Sequence, residues 1–459
     1  MKPIRLCEYS VKETSLSADV RQSIEEAAER WRLANGLNNL PLQFGGASGT
    51  KLTSKQWVGV VQAGGVRVEI FPKLDRALLD RESPTEPEAA SALQGLVRVL
   101  EISQHRNLVD VGDAKLDAIP TNYFDLLSVL FARRLSRELT AGRPHAYLGH
   151  SDDLPMVRGR IDFGRQVTSL WGRMDRIACR WDEFSPDTPL ARLLRCTVEV
   201  LIENATGSRA FEELLVCRAL LDGVSPVNVQ TALSQSRFLG WTRINKRFET
   251  CAEVAIGILQ GFGRGFEGES KPSFMFLIDM NKLFEDYASE LISRRFDDVS
   301  VHRQKHIGHL LEAGSERSKG LISQRPDLNW LHQGVSYVAD AKYKRVESWL
   351  EDEEVGTGWG SNDVRQLICY GQLLKEPPGG HRTEKLLMLS PCLGFEELPE
   401  EPWHTAFDGV KIGRAAINMT PGDSYKDLKK QDLKKLVRLP GEGRSGSLIA
   451  QKSLQVCAV

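Results

Sequence analysis

One stretch of the chain, Gly334-Val335-Ser336-Tyr337-Val338-Ala339-Asp340-Ala341-Lys342-Tyr343, places a carboxylate and an ammonium two residues apart. Its β-branched and aromatic residues read as a strand. Strand alternation then puts Asp340 and Lys342 on one face, with Ala339, Ala341 and Tyr343 on the other. Upstream stands Arg325-Pro326-Asp327, and a hairpin across 328–335 would bring the Asp327 carboxylate alongside. Like carboxylates held close repel each other, and burial adds to the cost. A hard divalent cation relieves both, and oxygen-only ligation suits Mg²⁺ or Mn²⁺. Such an ion lowers the pKa of a bound water and offsets charge on a phosphate under attack. Lys342 can position the attacking water and neutralise phosphate charge. The chemistry open to these three side chains is metal-assisted hydrolysis of a phosphodiester.

An Asp-x-Lys on a strand is more often a surface ion pair, so the surrounding residues carry weight. Helical spacing over Asn281–Phe296 presents Glu285 beside Phe284 and Tyr287, ahead of the strands. A later helix, 362–375, places Asp363, Gln366 and Tyr370 at i, i+3 and i+7, on one face.

In order along the chain, Pro326-Asp327, Asp340-Ala341-Lys342-Tyr343-Lys344 and Asp363-x-x-Gln366-x-x-x-Tyr370 resemble the PD-(D/E)xK nuclease superfamily. More narrowly, the chain resembles the McrC family, the nuclease subunits of McrBC modification-dependent restriction systems. Four further segments carry that likeness: Ile70-Phe71-Pro72-Lys73, Arg158-Gly159-Arg160-Ile161-Asp162, Asp182-Glu183-Phe184-Ser185-Pro186-Asp187-Thr188 and Asp279-Met280-Asn281-Lys282-Leu283-Phe284-Glu285. The resemblance implies a C-terminal nuclease fold with a mixed central sheet flanked by helices. It implies Asp327 and Asp340 as metal ligands, Lys342 as the catalytic lysine and Glu285 as a further candidate ligand. Gln366, Lys344 and Tyr370 would support them. It also implies Mg²⁺ or Mn²⁺ as cofactor and double-stranded DNA carrying modified (5-methylcytosine) bases as substrate. The implied partner is a McrB-like AAA+ GTPase hexamer, which binds the GTP and whose hydrolysis this subunit stimulates. The chain has no GxxxxGK[ST] motif, in keeping with a subunit that borrows its motor.

The wider sequence must position these residues. The 459 residues suggest two to four domains. Lys and Arg number 60 against 61 Asp and Glu, for a net charge of −1. That balance excludes a globally basic nucleic-acid coat and an acidic disordered tail. The eight cysteines include no CxxC spacing, so they read as buried thiols of a reducing compartment rather than a zinc or redox motif. Met1–Thr14 lacks the apolar core of a signal peptide, and no apolar run approaches the ~20 residues of a membrane span. A cytoplasmic protein with no membrane partner is expected.

Helical periodicity is read at 18–35, 88–104, 122–141, 190–206, 209–221 and 243–261, with Asp187-Thr188-Pro189 starting one helix by side-chain capping. Trp57–Val61 and Val66–Phe71 read as a hairpin joined at Gly64-Gly65, and Gly45–Gly49 as a tight turn rather than a phosphate cradle. Short strands are read around Arg158-Gly159-Arg160, where the two arginines suit either a phosphate or an ion pair. The expected fold is α/β (α+β multidomain). A β-containing N-terminal domain (1–165), which would dock on the partner, precedes a helical middle region (166–270). The nuclease domain (271–400) and a basic extension (401–459) follow, the latter with Lys426–Arg438 as a solvated surface helix. His302, His306 and His309 read as a polar loop rather than a metal site, and the acidic run Glu351–Glu354 as a solvated loop.

Two rivals to the DNA nuclease subunit stand at this point. One is a catalytically silent nuclease-fold adaptor that activates an AAA+ ring. The other is a PD-(D/E)xK nuclease with another nucleic-acid substrate, such as RNA or unmodified phage DNA.

Overall fold

The computed structural model describes residues 3–103, 122–262, 274–296, 299–312, 320–343, 361–373, 383–393, 403–405, 409–420, 433 and 436–440. The chain divides into two compact units. The first comprises residues 1–71, 82–93 and 105–278; the second comprises 72–81, 94–104 and 279–459.

The first unit begins with β1 (Ile4–Cys7), β2 (Val11–Glu13), α1 (Ala18–Ala34), β3 (Leu42–Gly45), β4 (Lys51–Ser54), β5 (Trp57–Ala63) and β6 (Val66–Phe71). Ser17 caps α1 through its hydroxyl, as a serine ahead of an apolar-periodic run should. α2 (Glu86–Ile102), of which residues 86–93 belong to this unit and 94–102 to the second, is followed by α3 (Tyr123–Thr140), β7 (Ala146–Leu154), β8 (Arg160–Ile161), α4 (Phe163–Thr168) and β9 (Ile177–Ser185). The unit closes with α5 (Pro189–Asn204), α6 (Ser208–Leu220), α7 (Val229–Ser236), α8 (Glu249–Phe262) and β10 (Phe274–Asp279).

Its main sheet runs β1-β6-β5-β10. Ile24, Ala27 and Ala28 of α1 pack on Val61, Val68 and Ile70 of this sheet, the apolar stripe of the helix meeting the apolar face of the strands. Gly59 lets β5 and β10 approach closely: its φ is +142°, and a Cβ there would lie 2.1 Å from the Phe276 carbonyl oxygen.

The early hairpin forms as expected. The strand β9 was not anticipated, and it pairs along its length with β7. Arg180, Asp182 and Glu183 surround Trp181 and Phe184 there, and the segment falls in what was expected to be a helical middle region. The helix expected at 243–261 begins only at Glu249, after a 3₁₀ turn over Lys246–Phe248. The short α7 was also not anticipated.

The second unit contains α9 (Met280–Arg295), β11 (His302–Arg303), β12 (Gly308–Glu312), β13 (Gly320–Gln324), β14 (Leu328–His332), β15 (Val335–Ala341), α10 (Ser361–Leu373), β16 (Thr383–Cys392), β17 (His404–Thr405), β18 (Lys411–Asn418) and β19 (Val437–Arg438). Its seven-stranded sheet runs β11-β14-β15-β16-β18-β17, with β19 pairing β18. β14 and β15 are antiparallel, whereas β15, β16 and β18 are parallel, so the sheet is mixed. Leu367 and Tyr370 of α10 pack on Val338, Leu386, Met388 and Ile412. Tyr287 of α9 donates its hydroxyl to the Asn418 carbonyl at 2.9 Å.

Two segments differ from the expected division. Phe274–Ile278, read as the start of the nuclease domain, belongs to the sheet of the first unit. Part of the basic extension is sheet: β18 buries Ile412–Ala416, and Leu433, Leu436 and Val437 are buried as well. The basic residues of Lys426–Arg438 hid that end of the run, where Val437–Arg438 is a strand rather than a surface helix. Residues 426–432 and 434–435 of that run, and 441–459, lie outside the described residues.

Candidate active site

The β14–β15 hairpin sets the geometry. Leu328 pairs with Ala339, so Asp327, one residue before β14, lies beside the end of β15. Pro326 is buried at this strand entry, where its fixed φ and missing N–H cost no ladder bond. The backbone N–H of Ala341 donates to Asp327 Oδ2 at 2.7 Å.

Asp340 is only 3% exposed. Its Oδ2 meets Lys342 Nζ at 2.6 Å as an ion pair, confirming that both side chains share a face. Among the described residues, no other donor is aligned on that buried oxygen. The Lys342 backbone N–H donates to the Leu389 carbonyl at 2.9 Å, which extends the β15–β16 ladder past Ala341 and fixes the lysine. Lys342 Nζ also donates to Gln366 Oε1 at 3.1 Å, and Gln366 Nε2 donates to the Tyr370 hydroxyl at 2.7 Å. Both belong to α10, one turn apart, which is the spacing that lets their side chains meet.

Glu285 reaches the site from α9. Gln304 Nε2 donates to Glu285 Oε1 at 2.6 Å and to Asp327 Oδ1 at 2.8 Å. Gln304 was not singled out from the sequence. It lies in the polar stretch Arg303-Gln304-Lys305, which carries no periodic signal; its backbone takes the left-handed region, with φ +49°.

Electrostatics follow from burial and crowding. Burial pushes the Asp327 carboxyl up to about 7, with the Asp340 charge adding to the rise and the Ala341 N–H opposing it. Asp340 is raised by burial, against the pull of Lys342. Glu285 is raised by burial too, more than its hydrogen bond from Gln304 lowers it. For Lys342, burial works to lower the pKa, but the Asp340 carboxylate outweighs it and the net shift is upward. The Asp340 carboxylate thus favours the ammonium form of Lys342.

These features suit a hard divalent cation. The donors are all oxygen, buried Asp340 stands with half-buried Asp327 and Glu285, and Asp340 Oδ2 is paired with Lys342. Among the described residues, no three His, Cys, Asp or Glu side chains converge closely enough to enclose an ion by themselves. Mg²⁺ typically takes one or two protein carboxylates and completes its shell with water and phosphate oxygens.

The other residues noted in the sequence fall elsewhere. His306 hydrogen-bonds Ser323 Oγ at 2.8 Å and packs against His309, while His302 and His309 lie in β11 and β12 rather than in a loop. Arg158 stacks over Trp181 at 4.7 Å and faces Glu183 at 3.5 Å, in the first unit. The Gly45–Gly49 loop is a turn between β3 and β4, with Gly46 and Gly49 at positive φ. Cys7, Cys179, Cys196, Cys217, Cys251 and Cys392 are buried cysteines outside any disulfide among the described residues, and Cys369 is a half-buried one. Lys344 and Glu351–Glu354 lie outside the described residues. Among the described residues, no helix is long and apolar enough to cross a membrane.

Comparisons with known proteins agree with this fold. The chain is 20% identical over 291 residues to the type IV methyl-directed restriction enzyme EcoKMcrBC of Escherichia coli (strain K12), covering 61% of this chain and 81% of that protein. A chain in the half-complex of the tetradecameric assembly of Thermococcus gammatolerans McrB AAA+ hexamers with bound McrC superposes with a TM-score of 0.64 at 18% identity. That match covers 94% of this chain and 98% of the other, and it shows a shared fold. The family model described as McrBC 5-methylcytosine restriction system component matches residues 52–388, a span that includes the hairpin, α9, the Asp327/Asp340/Lys342 cluster and α10. The chain belongs to the McrBC 5-methylcytosine restriction system component family.

Proposed function

We propose that this chain is the McrC-like nuclease subunit of a McrBC-type restriction system and hydrolyses phosphodiesters of DNA carrying 5-methylcytosine. The observation that carries this reading is the meeting of Asp327, Asp340 and Lys342 at one end of a strand pair. Family membership supports the restriction context.

In this reading Asp327 and Asp340 hold Mg²⁺ or Mn²⁺, with Glu285 beside them. The ion, when bound, supplies a more acidic water and offsets negative charge on the phosphate. Lys342 does the rest of the electrostatic work. Its ammonium, anchored by Asp340 and Gln366, faces the place where charge grows on the phosphate and orients the attacking water. Gln366 and Tyr370 fix the lysine rotamer from α10, so its geometry is set before substrate arrives. A water oxygen bonds to phosphorus and gives up one proton to solvent, one P–O ester bond breaks, and the leaving alkoxide takes up a proton from solvent.

The partner is a McrB-like AAA+ hexamer that binds GTP. The resemblance in fold to a chain solved with McrB AAA+ hexamers supports this assignment. With a net charge of −1, the chain has little general attraction for a polyanion, and delivery by the partner compensates.

The test is cleavage of 5-methylcytosine DNA by the purified protein with its partner, GTP and Mg²⁺. The parent should cut, chelator should abolish cutting, and Asp340→Asn should cut at least about 100-fold more slowly. Stimulation of the partner's GTP hydrolysis without any metal-dependent cleavage would instead favour the silent adaptor. Cutting of unmodified DNA or RNA in preference would move the substrate, not the chemistry.

A further inference from the structure

Gln304 stands outside the motif residues, yet a single nitrogen of its side chain touches two of the site's three acids. We propose that Gln304 is the positioning residue that holds Glu285 and Asp327 in ligating orientation; the inference rests on the metal-nuclease reading above and deepens it.

Four observations carry it. First, each Asp327 oxygen has a fixed donor: Oδ2 takes the Ala341 N–H at 2.7 Å and Oδ1 takes the Gln304 amide at 2.8 Å. A carboxylate oxygen has two lone pairs, so one can accept that hydrogen while the other faces a cation. Second, the same amide nitrogen reaches Glu285 Oε1 at 2.6 Å, which sets Glu285 toward Asp327 although like charge drives them apart. Only the NH₂ end of the amide can satisfy two carboxylates at once, which fixes its orientation.

Third, the backbone makes an unusual conformation at this residue. Gln304 has φ +49°, a region that L residues other than Asn and Asp seldom occupy. Its own N–H donates to the Asp327 carbonyl at 3.1 Å, so main chain and side chain both address the same aspartate. Fourth, the preceding residue is bolted to α9. Arg303 Nη2 meets Glu290 Oε2 at 2.7 Å, and Arg294 Nε meets Glu290 Oε1 at 2.7 Å. Glu290 is buried. The strand just before Gln304 is thus tied to the helix that carries Glu285, and the amide spans the remaining gap.

Groups that hydrogen-bond metal-ligating carboxylates typically alter metal affinity or activity by about 10–100-fold when removed. Mn²⁺ binding to the full-length protein, measured by calorimetry without DNA, is the readout. Gln304→Ala should weaken Mn²⁺ binding by about tenfold or more, with an unchanged melting curve in the metal-free state. Gln304→Met, of similar shape but without the donor, should weaken it equally; it also serves if the alanine variant fails to fold. In a Glu285→Gln background, Gln304→Ala should cost less than it does alone, because one of its two carboxylate partners has lost its charge. Mn²⁺ affinity within twofold of the parent in both Gln304 variants overturns the inference and leaves the nuclease reading intact. A parent that binds no Mn²⁺, together with full cleavage by Asp340→Asn, overturns the nuclease reading and this inference with it.

Discussion

The Asp327 carboxylate accepts a hydrogen bond from the peptide N–H of Ala341, the residue between Asp340 and Lys342, at 2.7 Å. A side chain that stands just before one strand is thereby tied to the backbone of its partner, between Asp340 and Lys342. The hairpin register determines this contact, because Leu328 opposite Ala339 carries Asp327 on to lie opposite Asp340, next to Ala341. A one-residue slip would turn Asp340 and Lys342 to the opposite face and break it.

Replacing Asp327 separates stability from activity. Its carboxyl is raised to about 7 by burial and by Asp340, so ionising it costs the metal-free fold. A folded-state pKa above the unfolded value contributes stability below about pH 4, which is lost as pH rises through about 7. Asp327→Asn should therefore melt at a higher temperature than the parent at pH 8 without metal, and the gap should close near pH 4. The same variant should lose at least about 100-fold in cleavage. Thermal melts across pH with chelator present check the first part; a lower melting temperature than the parent at pH 8 contradicts it.

Gln366 should affect rate without affecting metal affinity. It accepts from Lys342 and donates to Tyr370, and neither contact involves Asp327 or Glu285. Gln366→Leu is expected to slow single-turnover cleavage by about 10–100-fold at saturating Mg²⁺, with Mn²⁺ affinity within twofold of the parent. An unchanged rate would show that the lysine needs no anchor on α10.

Asp187 should matter for stability alone. Its carboxylate takes two hydrogen bonds from Arg192 at 2.8 Å each, one from the Ser225 N–H at 3.0 Å and one from the Ser225 hydroxyl at 2.7 Å. The Arg192 guanidinium, with Ser225, holds this carboxyl well below the usual range. A depressed folded-state pKa gives stability that is present above the unfolded value and is lost as pH falls through the folded one. Asp187→Ala should cost roughly 2 kcal/mol at neutral pH, and the difference should shrink below about pH 4. Urea titrations at pH 7 and pH 3 measure both.

Gly59→Ala tests the close approach of β5 and β10. The added Cβ would sit 2.1 Å from the Phe276 carbonyl oxygen, at a φ of +142°. The strands must part or the backbone must bend, at a cost of more than about 2 kcal/mol. A melting temperature equal to the parent's would show that β10 can shift freely.

Much of the site's geometry was legible because strand periodicity is local. Alternation alone sets Asp340 beside Lys342, and hairpin length sets Asp327 beside both. Helical spacing likewise placed Gln366 and Tyr370 on one face of α10. Gln304 was not legible, because its contacts depend on a left-handed backbone and on a long-range pairing of β11 with β14. The strand β9 was hidden for a related reason. Its sheet leaves Tyr147 and Phe184 exposed, so no inside-outside alternation marks it. The strands of the C-terminal stretch were missed where charge outweighed pattern: Arg414 is buried within β18, against the usual reading of arginine as surface.

The most direct measurement is the anomalous signal of Mn²⁺ in crystals of the full-length protein. The account predicts a peak about 2.2 Å from one oxygen each of Asp327 and Asp340, lost in Asp340→Asn. No peak at that position, in crystals of a protein whose Mn²⁺-dependent cleavage is intact, would contradict it.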